Sequence, residues 1–182
     1  LDNMMGGYED NVPKNIKFHK IDCCDLEKIK KVMSGIDIVY HCAATAHEGL
    51  SVFSPYEITK NNYLASISIF TAAVDAKVKR IIFCSSMARY GDQKTPFTED
   101  MKPKPVDPYA ISKVAAEDCI MTRENSICFR LATVFGVAPS MRLDLLVNDF
   151  LFKAFHESFN GRTILMATFY ASTRDHMFLQ YS

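Results

Sequence analysis

The chain has 182 residues, 48% of them apolar, with 21 Lys and Arg balanced by 21 Asp and Glu. That size and apolar content suit one domain with a real core and exclude a disordered chain. The balanced charge offers no basic surplus for nucleic acid or an anionic membrane, and no apolar run nears the roughly twenty residues of a membrane span. No signal peptide is evident, so we expect a soluble chain. Of the six cysteines, Cys23, Cys24, Cys42, Cys84, Cys119 and Cys128, no two form a C-x-x-C pair. Most lie in apolar runs, where a reduced cysteine acts as a small hydrophobe. We therefore expect a reducing cytoplasm and no metal.

The chain opens on LDN, as though a strand had just ended, with Asp2 and Asn3 at its tip. Asn15–Ile21 (NIKFHKI) reads as a strand followed by Asp22. Leu26–Met33 suits a short helix with Asp25 as its N-cap. Ile36–Cys42 (IDIVYHC) is apolar enough for the middle of a sheet, and the small residues Ala43, Ala44 and Thr45 follow it. Pro55–Ala76 carries a long helical pattern that includes Asn62. Arg80–Ser85 reads as a strand ending at the pair Ser85–Ser86. Asp107–Thr122 is a helix with Asp107 as N-cap and Pro108 in its first turn. Ser126–Thr133 is a further strand, and Leu143–Phe155 an amphipathic helix. Asn160–Ser182 is the least readable stretch, with a possible strand over Ile164–Tyr170. Strands alternating with longer helices predict an α/β fold, a doubly wound parallel sheet of Rossmann type.

In such a sheet, ligands bind beyond the carboxyl ends of the strands. The candidate polar groups fall there. Asp2 can accept hydrogen bonds from ribose hydroxyls and would repel a 2′-phosphate, favouring NAD over NADP. Asp22 can receive an adenine amino group, or serve only as a turn residue. Small residues at 43–45 let a cofactor lie against the backbone. Asn62 reads equally as a ligand contact or as a polar residue tucked against the sheet. His41 reads as a packed strand residue, and Ser85–Ser86 admits a strand-end turn.

The most chemically suggestive spacing is Tyr109 and Lys113 in DPYAISK. A phenol, with an ordinary pKa of about 10, is a poor proton acceptor at neutral pH. An ammonium one helical turn away favours the phenolate. A serine hydroxyl from a strand end can hold a substrate oxygen beside it. Three such groups can take a proton from a carbinol while a hydride leaves its carbon, which points to oxidoreduction with a nicotinamide cofactor.

These segments, in this order, resemble an extended short-chain dehydrogenase/reductase of the NAD-dependent epimerase/dehydratase family, nearest the UDP-glucose 4-epimerase-like members. LDNMMGG, IDCCDLE, HCAATAHEGLSVFSP, KNNYLASISIFTAA, IIFCSSMARYGDQ, DPYAISK and FRLATVFG carry the likeness. It implies that Tyr109 is the acid/base and, with Lys113, contacts the cofactor, Lys113 binding the nicotinamide ribose and depressing the tyrosine pKa. Ser86, four residues before Tyr90, falls at the family's catalytic Ser or Thr. Asp2 and Asn3 would hold the adenosine ribose; Asp22 and the backbone of Cys23, adenine. Ala43, Ala44 and Thr45 would line the pyrophosphate and nicotinamide side, with Asn62 nearby. Thr133 falls where relatives contact the sugar nucleotide.

The resemblance further implies NAD as cofactor, a nucleotide-sugar substrate and epimerisation, with dehydratase, reductase and non-catalytic NAD-binding module as alternatives. A Met87–Ala88 pair, where a dehydratase carries Asp-Glu, weighs against dehydration. The family's opening strand and G-x-x-G-x-x-G turn have no counterpart here, and Leu131 stands where a Pro or Tyr is common. We expect a chain truncated at both ends, with residues 1–159 a partial NAD-binding domain and 160–182 a remnant of the substrate region or an irregular tail. The helices over Pro55–Ala76 and Asp107–Thr122 match the pair that forms a homodimer interface in the family, unless both pack only on their own sheet.

Overall fold

A computed structural model describes residues 1–137 and 142–156. The C-terminal tail, with its possible strand over Ile164–Tyr170, lies outside the described residues. The chain divides into two units, Leu1–Gln93 with Met101–Leu131, and Lys94–Asp100 with Ala132–Ser182.

The first unit is built on a parallel sheet of β1 (Ile38–His41), β2 (Arg80–Ser86) and β3 (Ser126–Leu131), in that spatial order. Parallel neighbours require crossovers, and helices supply them. Helix α1 (Leu26–Met33) leads into β1. Between β1 and β2 run α2 (Pro55–Ile58), a π-helical segment (Thr59–Leu64) and α3 (Ala65–Asp75). Between β2 and β3 runs α4 (Pro108–Ile120). Register places His41 beside Phe83 and Ser86 beside Leu131.

Alternation along β2 decides which face is covered. Ile81, Phe83 and Ser85 are buried, and Ile81 and Phe83 pack with Ile29 and Met33 of α1, Ile69, Ala72 and Ala73 of α3, and Ala116 and Ile120 of α4. The alanines keep the helices slim, so their axes come close to the strand. Each large apolar side chain buried here contributes about 1.5–3 kcal/mol. The opposite face keeps apolar surface in solvent, with Tyr40 68% and Phe129 52% exposed.

Both predicted N-caps form. The Asp25 side chain accepts from the Lys28 N–H at 3.2 Å, and that of Asp107 from the Ala110 N–H at 2.8 Å. Pro108 opens α4, where its missing N–H costs nothing. The turn after β2 depends on Gly91, whose φ is +54°. A Cβ there would collide with the Lys104 carbonyl oxygen.

Some expectations need correction. Asn15–Ile21 is not a strand: it opens on a turn at Asn15 and a bend at Ile16, and its one ladder contact is an isolated parallel bridge, Asp2 to Lys20. Its β pattern is intact, but a ladder needs a partner of matching length. Among the described residues two backbone hydrogen bonds join this segment to the chain start, Asp2 N–H to His19 O and Ile21 N–H to Asp2 O. Among the described residues the outer edge of β1 is likewise unpaired, and a cleft of about 580 Å³ runs between that edge and Leu1–Asp2. The helical pattern over Pro55–Ala76 is also not uniform: its middle widens to a π-helix at Thr59–Leu64. The strand predicted over Ser126–Thr133 ends at Leu131.

In the second unit, α5 spans Leu146–His156 rather than Leu143–Phe155. Asn148 joins its start to the preceding loop, accepting from the Gly136 N–H at 3.3 Å and donating to Arg142 O at 2.9 Å.

Candidate active site

A cleft of about 320 Å³ opens where the segments meet beyond the strand ends. Asp2, Asn3, Asp22, Cys23, Ala43, Ala44 and Thr45 all line it, together with Asn61. The acidic end is stiff. Asp22 accepts from the Cys24 N–H at 2.7 Å through one oxygen and from Asn3 Nδ2 at 3.1 Å through the other. These bonds, the Cys24 backbone bond first, hold its carboxyl below the ordinary range. Asp2 accepts from the Met4 N–H at 2.7 Å, and Asn3 Oδ1 from the Met5 N–H at 3.0 Å. Turn chemistry and ligand chemistry coexist here, since each carboxylate has lone pairs beyond those the backbone uses.

Asn62 is 1% exposed and not on the cleft surface. Its Oδ1 accepts from the Thr45 N–H at 2.7 Å and its Nδ2 donates to Thr45 O at 3.2 Å. Asn61 Nδ2 donates to Thr45 Oγ1 at 3.2 Å. Two successive asparagines in the π-helical segment thus clamp one loop residue. π-Bulges recur at functional sites, and here the extra residue per turn brings both side chains to Thr45.

Behind the clamp, His41 Nε2 lies 2.8 Å from Ser66 Oγ. The Ser66 hydroxyl donates to Asn62 O, so His41 must be the donor in the first contact. Burial, aided by the Lys113 charge, pushes the His41 pKa down to about 4. His41 is therefore a neutral packing residue, as read from the sequence, stacked at 5.4 Å on Phe83.

The end that carries Ser86, Tyr109 and Lys113 rises from β2 and α4. Ser86 and Tyr109 are both half-buried. Ser86 caps the short turn Met87–Tyr90, its Oγ accepting from the Ala88 N–H at 3.1 Å, which leaves the hydroxyl proton to donate elsewhere. Lys113 is 4% exposed. Its ammonium donates to Cys84 O at 2.8 Å and lies 4.9 Å from the Phe83 ring centre and 5.9 Å from that of Tyr109. The cation is thus anchored to β2 two residues before Ser86 and one helical turn from Tyr109. Burial lowers its pKa from 10.5 to about 8, against the thiols of Cys84 and Cys42. Thr133 is exposed and belongs to the second unit.

The shift has a testable sign. Unfolded, Lys113 holds its proton up to about 10.5; folded, it releases it above about 8. Between those values the unfolded chain binds more protons, so stability rises with pH. Urea unfolding across this window should show wild type gaining stability relative to Lys113→Met. A difference that stays flat with pH contradicts a buried, titrating amine.

A group that the sequence reading missed lies under the serine pair. Glu117 of α4 is 3% exposed. Ser85 Oγ donates to its Oε2 at 2.6 Å, while Arg89 and Arg130 donate to Oε1, Arg130 Nε at 3.0 Å. Arg130 also donates to Tyr90 Oη at 2.6 Å. Burial opposes ionisation of Glu117, but the Ser85 hydroxyl and the two arginines outweigh it and hold the carboxyl below its ordinary range. The signal was available: Glu117 stands four residues after Lys113, on the same helix face.

A parallel sheet with helical crossovers, small residues just past the end of β1 and a Tyr-x-x-x-Lys helix define a Rossmann-type domain. Residues 3–180 match the model of the NAD dependent epimerase/dehydratase family, and the chain belongs to that family. UDP-glucose 4-epimerase of Streptomyces lividans is 32% identical over 155 residues, covering 82% of this chain and 47% of its own. The structure of Thermotoga maritima UDP-glucose 4-epimerase with UDP-glucose matches with a TM-score of 0.75 and 27% identity, covering 84% of this chain and 53% of that one. That of Thermus thermophilus UDP-glucose 4-epimerase with NAD also has a TM-score of 0.75 and 27% identity, with 82% and 51% covered. The chain spans about half the length of the relatives it matches. Among the described residues, no helix is long and apolar enough to cross a membrane.

Proposed function

We propose that this chain provides the dinucleotide-binding and proton-transfer half of an NAD-dependent nucleotide-sugar 4-epimerase. The observation that carries this reading is the placement of Lys113, buried and anchored to Cys84 O beneath the Tyr109 ring, at the sheet end that also bears Ser86.

The residues fit the cofactor on two sides. Asp2, Asn3 and Asp22 would hold the adenosine ribose and adenine, with the Cys23 backbone. Ala43 and Ala44 leave room for the dinucleotide, and Asn62 serves it by fixing Thr45. The Asp2 carboxylate would repel a 2′-phosphate, favouring NAD. When bound, NAD would accept a hydride from the sugar carbon and return it. Tyr109 takes the proton of the sugar hydroxyl and later gives it back. Lys113 favours the phenolate and binds the nicotinamide ribose. Ser86 donates its hydroxyl proton to the sugar oxygen. Thr133 would contact the sugar nucleotide.

Met87 and Ala88 begin the turn directly after Ser86. A dehydratase needs an acid and a base there to eliminate water, so this pair favours epimerisation. Leu64, Ile111 and Met121 are each about half exposed on the helical side. We assign that apolar surface to a homodimer, and the unpaired cysteines to a reducing cytoplasm.

Incubation with NAD and UDP-glucose, followed by proton NMR of the anomeric region, tests the reading. A new galacto-configured signal is expected. A 4-keto-6-deoxy product would place the chain with the dehydratases, and no conversion would count against the epimerase assignment.

A further inference from the structure

We propose that Cys42 and Cys84 form an oxidisable thiol pair that closes to a disulfide with hydrogen peroxide. His41 is paired in register with Phe83, so Cys42, the first residue past β1, stands beside Cys84 of β2. Side chains alternate along strands. Both sulfurs therefore project from the face opposite the helices, the face that leaves Tyr40 largely in solvent.

Their sulfurs are 3.6 Å apart. Adjacent strands run about 4.8 Å apart, within reach of the Cα separations a disulfide spans, and the bond itself needs about 2.05 Å. Side-chain rotation at the open end of β1 can close the gap without moving the core. Cys42 is exposed and lines the mouth of the 320 Å³ cleft, whereas Cys84 is half-buried. Burial and the neighbouring Cys42 push the Cys84 thiol up. Cys42 is thus the sulfur an oxidant meets first, and Cys84 the one that resolves it.

The chemistry balances with a peroxide as oxidant. The Cys42 thiolate attacks the peroxide; an S–O bond forms, the O–O bond breaks, and hydroxide leaves to become water with the thiol's proton. Cys84 sulfur then attacks the sulfenic acid; the S–S bond forms, the S–O bond breaks, and a second water carries off the Cys84 proton. Two thiols are oxidised by two electrons and one peroxide is reduced to two waters. A thiol reductant reverses the bridge.

The test is hydrogen peroxide titration of the folded chain, followed by intact mass measurement and non-reducing peptide mapping. Wild type should lose two hydrogens and yield a peptide linking Cys42 to Cys84. Cys42→Ser should form no bridge and leave Cys84 a thiol. Cys84→Ser should stop at oxygen adducts of Cys42 that dimedone traps at the sulfenic stage. Over-oxidation of Cys42 in wild type without a bridge would overturn the proposal, as would a bridge from Cys42 to Cys23 or to a second chain.

Discussion

Replacing Tyr109 with Phe should lower nucleotide-sugar turnover by about 10²–10⁴-fold, the range that a positioned acid/base supplies. NAD binding should stay largely intact, because in the proposed mechanism the phenol acts on the sugar hydroxyl and not on the adenosine side. The two readouts separate chemistry from packing. Tyr109 lies in the first turn of α4 and is only half-buried, so losing its hydroxyl leaves the helix and its Asp107 cap in place. The variant's rate is read as NADH absorbance in a single turnover, its affinity by calorimetry. A rate within a factor of about two of wild type would remove Tyr109 from the mechanism.

The second large effect is on stability. Glu117→Gln should cost about 3–5 kcal/mol, because it strips the carboxylate from two arginines and leaves their charge buried without its counter-ion. That is a large share of the roughly 5–15 kcal/mol that holds a domain folded. Arg89 bears the heavier penalty, since its side chain is 6% exposed against 21% for Arg130. The loss would also reach the site, because the Ser85 hydroxyl rests on the same carboxylate one residue before Ser86. Urea unfolding gives the measure. A change below about 1 kcal/mol would show that the cluster is relaxed or solvated, as exposed ion pairs are.

Local chemistry made much of the fold legible. The two aspartate caps fixed the starts of α1 and α4, and the apolar runs marked β1, β2 and β3 to within a few residues. What failed depended on partners. NIKFHKI has a strand's composition, but pairing comes from another segment and composition cannot supply it. The π-helical widening at Thr59–Leu64 shifts the helical phase over little more than one turn, too short a stretch to stand out in the apolar pattern of Pro55–Ala76. At the site, spacing placed Asp2, Asp22 and Ala43–Thr45 around one cleft, because strand ends converge in any open parallel sheet. The distance to Tyr90 singled out Ser86 through the family likeness, but it could not show that Ser85 is bound to Glu117 while Ser86 caps a turn. That difference is set by which face of β2 each residue occupies. Nor could it show that Asn62 serves the cleft from behind.

The most direct measurement is a calorimetric titration of NAD into wild type and Ala43→Phe. Ala43 is an exposed cleft residue, so a phenyl ring there should fill the cleft while the fold stays intact by far-ultraviolet circular dichroism. The account predicts saturable binding to wild type, weaker binding of NADP through Asp2, and loss of binding in the variant. Equal affinity in both proteins, or no binding to wild type, would contradict it.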